Sequence, residues 1–171
     1  MGGPKAMLLL DGETLLQRTV RIAREAGCAP VIAVVGDWDP GALDPTVRVI
    51  RNAEAAEGMA SSIRAGLAAL PGPAAAVLLL AIDQPAVDAS LLRRLLLLHA
   101  AQDGAIPVAC AYGGSLGIPA IFPSRLFPEL QALEGDQGAK PILLREITVS
   151  LPFPDGTRDL DTPEDLARLT R

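Results

Sequence analysis

Apolar β-type runs alternate with helical patterns along this chain. A Val/Ile run at 31–35 ends in Gly36, and a second occupies 47–50. The run at 77–82 is apolar almost without interruption. A strand apolar on both faces needs cover on both sides, so this run predicts a central strand between helical layers. The stretches 106–112 and 119–122 read as further strands, and 7–10 as a short one near the start. Helical patterns lie between them. The segment 13–26 puts Leu16, Val20, Ala23 and Ala26 near one face, with Gly27 as a C-terminal stop. The segment 58–70 aligns Met59, Ile63, Leu67 and Leu70 before Pro71-Gly72. Asp88 can cap a helix running to about residue 101. Further helices are expected at 124–133 and 136–146. Thr162-Pro163-Glu164-Asp165 has a capping Thr, Pro at the first helical position and acids in the first turn. This alternation predicts one α/β domain over residues 1–171, with a mostly parallel sheet in a three-layer sandwich.

Composition sharpens this picture. At 171 residues, half of them apolar and only 3% aromatic, the chain can build one core from Leu, Ala, Val and Ile. The Leu-rich run 91–98 is interrupted by Arg93 and Arg94 and falls short of the roughly 20 apolar residues of a membrane span. No secretory signal pattern follows Met1, so a cytoplasmic protein without membrane contact is expected. The net charge is −5 and no Lys/Arg run forms a basic face. That argues against a nucleic acid polymer as partner but leaves room for a single nucleotide. Cys28 and Cys110 are far apart, lack metal-site spacing and read as small core residues.

The strongest chemical signal is Asp83-Gln84-Pro85, directly after the most apolar run. Ligands of open α/β sheets bind beyond the carboxyl ends of strands. Pro85 keeps Gln84 extended, so Asp83 sits on a stiff support. A carboxylate there suits Mg²⁺, which takes one or two carboxylates plus phosphate oxygens. The alternative is an aspartate that only accepts backbone amides in a loop. Asp161, in a second acidic cluster at 159–165, either serves the following helix start or supplies a second carboxylate to the same ion. Asn52 ends a strand, and Gly58, Ser61 and Ser62 follow near a helix start, where amides and hydroxyls can meet a base or phosphate. Gly2 and Gly3 permit close backbone approach to phosphate, and Lys5 follows them; at a chain start they also read as a plain flexible lead. His99, the one histidine, sits late in its helix and reads as structural or exposed. The segment 113–117 reads as a hairpin loop that could also line an acceptor pocket.

The order Gly-Gly-Pro-Lys, Glu-Gly-Met-Ala-Ser-Ser, Asp-Gln-Pro, Gly-Gly-Ser-Leu-Gly-Ile-Pro-Ala-Ile-Phe, Gly-Asp-Gln-Gly-Ala-Lys and Asp-Leu-Asp-Thr-Pro-Glu-Asp spans nearly the whole chain. Together these motifs resemble the molybdenum-cofactor nucleotidyltransferase family, nearest to its molybdopterin cytidylyltransferase-like branch. The resemblance implies a Rossmann-like nucleotidyltransferase fold. It also implies transfer of CMP or GMP from a nucleoside triphosphate to a small phosphorylated acceptor, with release of pyrophosphate. By that resemblance Lys5 neutralises the triphosphate, Asp83 holds Mg²⁺ and Asp161 is the second carboxylate. Gly2, Gly3, Asn52, Gly58, Ser61 and Ser62 then lie at the nucleotide. Gln84 and the loop 113–119, with Gly113, Gly114 and Gly117, face the acceptor. Lys5 and Asp83 would be the catalytic pair.

Two departures matter. Family members open with an apolar strand, a Leu-Ala-Ala-Gly turn and an arginine before Met-Gly-Gly-Pro-Lys. Here Met1 stands at the internal methionine, so the first strand and part of the phosphate loop are expected to be missing. An uncovered sheet edge would follow, and with it either lower stability or cover by another segment or chain. Ile118 stands where close relatives carry histidine, which opens the question of acceptor identity. Three functions compete: the transferase, a non-catalytic module serving a molybdoenzyme partner or a homo-oligomer, and a sugar- or polyol-phosphate nucleotidyltransferase.

Overall fold

A computed structural model describes residues 5–158 and 160. Asp161, Gly2, Gly3 and the helix start at 162–165 lie outside the described residues. After a short turn, strands β1 (Leu9–Leu10) and β2 (Glu13–Thr14) pair antiparallel around Asp11-Gly12. Helix α1 (Leu15–Glu25) begins where Thr14 and Gln17 close a reciprocal cap. The Gln17 N–H donates to Thr14 Oγ1 at 3.1 Å, and the Thr14 N–H donates to Gln17 Oε1 at 2.9 Å. Its inner face carries Leu15, Leu16, Val20, Ile22 and Ala23. Strands β3 (Ile32–Val35) and β4 (Arg48–Arg51) form a parallel pair, and α2 (Met59–Ala68) follows. Then come β5 (Ala76–Leu79), α3 (Ala89–Ala100), β6 (Val108–Tyr112), β7 (Ser115–Pro123), α4 (Phe127–Gln131), α5 (Lys140–Arg145) and β8 (Val149–Pro152).

The second sheet has the order β5-β7-β6-β8. Strands β5 and β6 are each antiparallel to β7, and β8 is parallel to β6. Three of its four strands therefore share one direction, as in the parallel pair, and β7 alone runs back. Alternation along the strands builds two cores, one on each face. Val108, Cys110 and Ile121 pack with Ile22, Leu92 and Leu95 from α1 and α3. Ala109, Ala120 and Phe122 pack with Leu67, Leu130 and Leu143 from α2, α4 and α5. This is the three-layer sandwich that the strand-helix alternation predicts. Among the described residues, no helix is long and apolar enough to cross a membrane.

Several expectations need correction. The run 77–82 is not the buried centre of the sheet. Strand β5 is shorter, and all four of its residues are only half-buried. Among the described residues it pairs on one side only, with β7. The centre belongs to β6 and β7, where Val108, Ala109, Cys110, Ala120 and Phe122 are fully buried. The helix expected from 136 starts only at Lys140, because the segment before it folds over the start of α2. Strand β8 was not anticipated, although Val149 and Leu151 alternate with polar Ser150. His99 is structural: its Nδ1 lies 3.0 Å from the Ile106 carbonyl. Cys110 is core, whereas Cys28 is only half-buried.

Two outcomes follow from this burial. In hydrogen exchange, the β5 amides that point away from β7 exchange about 100-fold faster than the paired amides of Ala109, Cys110 and Ile121. Equal protection would show that the β5 edge is covered. Burial also pushes the Cys110 thiol up to about 12, so at pH 8 only about 10⁻⁴ of it is thiolate. A thiol reagent at pH 8 leaves Cys110 unlabelled in the native protein and labels both cysteines in denaturant. Rapid native labelling of Cys110 would mean that this core opens readily.

Candidate functional site

The chain leaves β5 through Leu80-Ala81-Ile82 and enters the Asp83-Gln84-Pro85 turn. It bends at Ile82 and Asp83. Asp83 keeps a third of its side chain exposed (32%), while Gln84 turns inward and is 6% exposed. The Asp83 carboxylate receives Lys5 Nζ at 3.1 Å from 78 residues away in sequence. Both partners are about one-third exposed, and such a pair contributes only about 0–1 kcal/mol to stability. Its value for stability is therefore small. What the pair does show is that this carboxylate already faces a cation. The Asp83 carbonyl accepts the Leu160 N–H at 2.8 Å. Leu160 itself is buried with Leu10 and Leu15, which brings the chain to Asp83 one residue before Asp161.

A second group forms at the end of β4. Asn52 is fixed by its own N–H, which donates to the Val35 carbonyl at 2.7 Å. Its Nδ2 donates to Ser61 Oγ at 2.8 Å and to Ser62 Oγ at 3.2 Å, and its Oδ1 accepts the Glu54 N–H at 2.9 Å. Ser61 Oγ donates onward to the Gly58 carbonyl at 2.8 Å. The sequence-predicted Asn52, Gly58, Ser61 and Ser62 thus form one bonded cluster. Asn52 and Ser61 are buried and spend their polar atoms on one another, while Ser62 is half-buried. Val35, whose carbonyl takes the Asn52 N–H, belongs to the same apolar cluster as Ala6 and Ile82, the neighbours of Lys5 and Asp83.

The start of α2 is not an open anion cradle. The Gly135 carbonyl accepts the Ala60 N–H at 3.1 Å. Gly58 has φ +122°, and a Cβ there would lie 2.3 Å from Asp136 Oδ1 and 2.6 Å from the Gly135 carbonyl. Only glycine fits that conformation and that approach. Glu57 pairs with Arg64 and accepts the Gly135 N–H. The Arg64 hydrogen bond, followed by that of Gly135, holds the Glu57 carboxyl below its usual range. The Gly-Asp-Gln-Gly-Ala-Lys motif therefore packs onto the Gly58 loop. Asp136 was quoted in that motif but given no role.

The third element is the β6–β7 hairpin. Tyr112 pairs with Ser115 across Gly113-Gly114, whose φ values of +57° and +72° make a two-residue turn, so the hairpin loop expected over 113–117 is shorter and Ser115, Leu116 and Gly117 belong to β7. Gly117 is buried beneath Tyr112: a Cβ on it would lie 2.3 Å from the tyrosine hydroxyl. Gln84 Nε2 reaches this hairpin, donating to the Ile118 carbonyl at 3.1 Å and to the Tyr112 hydroxyl at 3.2 Å. Gly117 and Gln84 are thus brought together, with Tyr112 between them. Tyr112 went unnoticed in sequence, where a lone tyrosine carries no periodic or spacing signal.

The donor set can be tested for a divalent ion. Among the described residues, no group of three or more His, Cys, Asp or Glu could hold one. A single exposed carboxylate facing an ammonium fits a hard cation that draws its other ligands from phosphate and water. It does not fit a metal held entirely by protein.

Comparison with known proteins places the chain in a family. The MobA-like NTP transferase domain family matches residues 1–149. The molybdenum cofactor guanylyltransferase of Rhodobacter capsulatus is 30% identical over 174 residues, covering 98% of this chain and 87% of that protein. Nicotine blue oxidoreductase of Paenarthrobacter nicotinovorans is 30% identical over 185 residues, covering 98% and 88%. A match to the "Probable molybdenum cofactor guanylyltransferase" of Opitutus terrae is 37% identical but spans 53% of this chain and only 45% of that protein. Among solved structures, Rv0371c of Mycobacterium tuberculosis has a TM-score of 0.76 at 28% identity, covering 99% of this chain and 90% of that one. Its manganese complex gives 0.74 at 27% identity, covering 98% and 92%. With the fold, the Asp83 turn and the Asn52 cluster in the same order as the motifs, the chain belongs to the MobA-like NTP transferase family of nucleotidyltransferase enzymes.

Proposed function

We propose that this chain transfers a nucleoside monophosphate, GMP or CMP, from its triphosphate to a small phosphorylated acceptor of the molybdopterin type. The observation that carries the reading is the Lys5–Asp83 pair, which places an ammonium and a carboxylate side by side where β5 leaves the sheet. Transfer between two phosphates faces charge repulsion at the reacting phosphorus, so the protein's task is positioning and charge compensation. Lys5 is a point charge on a flexible stem and can exchange its carboxylate partner for a triphosphate oxygen. Asp83 would hold Mg²⁺, which would supply Lewis-acid stabilisation of the negative charge on the attacked α-phosphate and on the leaving pyrophosphate. Manganese in the Rv0371c complex supports a divalent ion at such a site. Asp161 remains the proposed second carboxylate.

The Asn52–Ser61–Ser62 cluster is the proposed nucleotide side, with Ser62 the member best exposed for contact. The hairpin with Gly113 and Gly114 is the proposed acceptor side. The two guanylyltransferase relatives favour GTP as donor. Charge compensation needs no protein nucleophile, and the buried Cys110 thiol could not serve as one.

The test incubates the chain with molybdopterin and GTP or CTP in Mg²⁺ and measures pyrophosphate. Asp83→Ala is expected to lower kcat/KM at least about 10³-fold, and Lys5→Ala about 10²-fold. Neither should shift the urea midpoint much, because the pair is worth so little to the fold. Equal turnover by Asp83→Ala and the unchanged chain would sink the reading. Pyrophosphate released only with a sugar or polyol phosphate would replace the acceptor. Absence of turnover with every acceptor, while nucleotide still binds, would point to a non-catalytic module.

A further inference from the structure

We propose that Gln84 is a positioning residue: its side-chain amide and the Tyr112 hydroxyl clasp the Ile118 carbonyl and so fix the direction in which Asp83 meets its cation. The inference rests on the reading of Asp83 as that cation's ligand. It begins with an irregularity in the sheet. Along β6 and β7 the pairing steps from Ala109↔Ala120 to Cys110↔Gly117, so Ile118 and Pro119 form a bulge without partners on β6. The β5–β7 register covers only 120–123, so the Ile118 carbonyl lies off that ladder too. Bulges next to sites re-aim the chain.

Two side-chain donors take up that carbonyl. Tyr112 Oη donates to it at 2.8 Å and Gln84 Nε2 at 3.1 Å, while Gln84 Nε2 also donates to Tyr112 Oη at 3.2 Å. The amide orientation follows from chemistry, because a carbonyl can be met only by the NH₂ end. The tyrosine ring is fixed in turn. It stands edge-on to Phe153 at 6.1 Å and 90°, and a Cβ on Gly156 would lie 2.5 Å from it. Tyr112 is therefore a stiff post, and the hairpin it belongs to is the other side of the clasp.

Gln84 is not there for stability. Its Oε1 is buried and has no hydrogen-bond partner among the described residues. An orphaned buried acceptor is a net cost that an apolar side chain of the same length would avoid. Buried polar groups kept at such a cost gather where the structure must be specific. Gln84 and Asp83 are adjacent in the bend that follows β5, Gln84 buried and Asp83 keeping a third of its side chain exposed. Holding the inward amide at two points fixes the intervening peptide, and with it the outward carboxylate. The Leu160 N–H on the Asp83 carbonyl ties the same turn from a third side.

The test titrates Mn²⁺, alone and with GTP, against the full chain and follows free Mn²⁺ by electron paramagnetic resonance. Asp83→Asn marks the loss of the ligand itself. Gln84→Met keeps the length and removes the donors, and Tyr112→Phe keeps the ring and removes the hydroxyl. Gln84→Met is expected to weaken Mn²⁺ binding about 10-fold, the scale seen when partners of metal ligands are lost, with a urea midpoint unchanged or raised. Tyr112→Phe is expected to weaken it less. The double variant should depart from additivity, because both donors share one carbonyl. If Asp83→Asn loses Mn²⁺ while both other variants stay within about twofold of the unchanged chain, the positioning role is wrong and the cation reading stands. If Asp83→Asn binds Mn²⁺ like the unchanged chain, the cation reading falls and takes this inference with it. Should Gln84→Met fail to fold, Tyr112→Phe decides, since its ring packing is untouched.

Discussion

The hydrogen bond from Gln84 to the Ile118 carbonyl joins the two parts of the molecule that must cooperate, the turn after β5 and the β6–β7 hairpin. It belongs to a wider economy of buried polar groups. Among the described residues, the buried polar side chains are Thr14, Asn52, Ser61 and Gln84. Thr14 caps a helix. The other three lie at the candidate site: Asn52 and Ser61 on the proposed nucleotide side, Gln84 on the proposed acceptor side. In a core filled by Leu, Ala, Val and Ile, such groups are bound strongly when paired and are costly when they are not. They therefore fix geometry where apolar packing alone would allow neighbours to slide.

The sheet supplies the frame. Strand β7 runs back between β5 and β6, and its residues Ala120, Ile121 and Phe122 are buried against both helical layers. This reversed strand gives the site its hairpin, because a parallel crossover would have placed a helix there instead. It also explains the bulge: β7 must serve β5 at 120–123 and β6 at 115–121, and Ile118-Pro119 is where the second ladder slips. The site thus sits where the regular pairing ends, with its side chains supported by the rigid centre of the sheet.

Electrostatics work locally here. The chain carries a net −5, yet at the candidate phosphate side Lys5 stands beside the Asp83 carboxylate. A weak, half-exposed pair of this kind is easily reorganised by a ligand of higher charge, whereas a buried pair would resist. Elsewhere the arginines are engaged in structural ties. Arg64 joins Glu57 to the Leu133 carbonyl, and Arg18 holds the Val87 carbonyl. The loop at Gly135 and Asp136 folds over the start of α2, where the Gly135 carbonyl takes the Ala60 N–H.

Much of this was legible from local rules. The cap at Asp88, the helical faces, a hairpin loop beginning at Gly113 and the aspartate after an apolar run all depend on neighbouring residues, and the chain alone determines them. The ordered motifs likewise pointed to the nucleotidyltransferase family. What the chain could not reveal is which strand lies at the centre. The run 77–82 is the most apolar but among the described residues pairs on one side only, and the run 119–122 ends up in the middle, because strand order depends on pairings between distant segments and not on the apolarity of any one. The same holds for the site. Lys5 on Asp83, Asn52 on Ser61 and Gln84 on Tyr112 are contacts across the fold. Only tertiary packing decides them, since it alone sets which face of an extended residue turns inward and what it meets there.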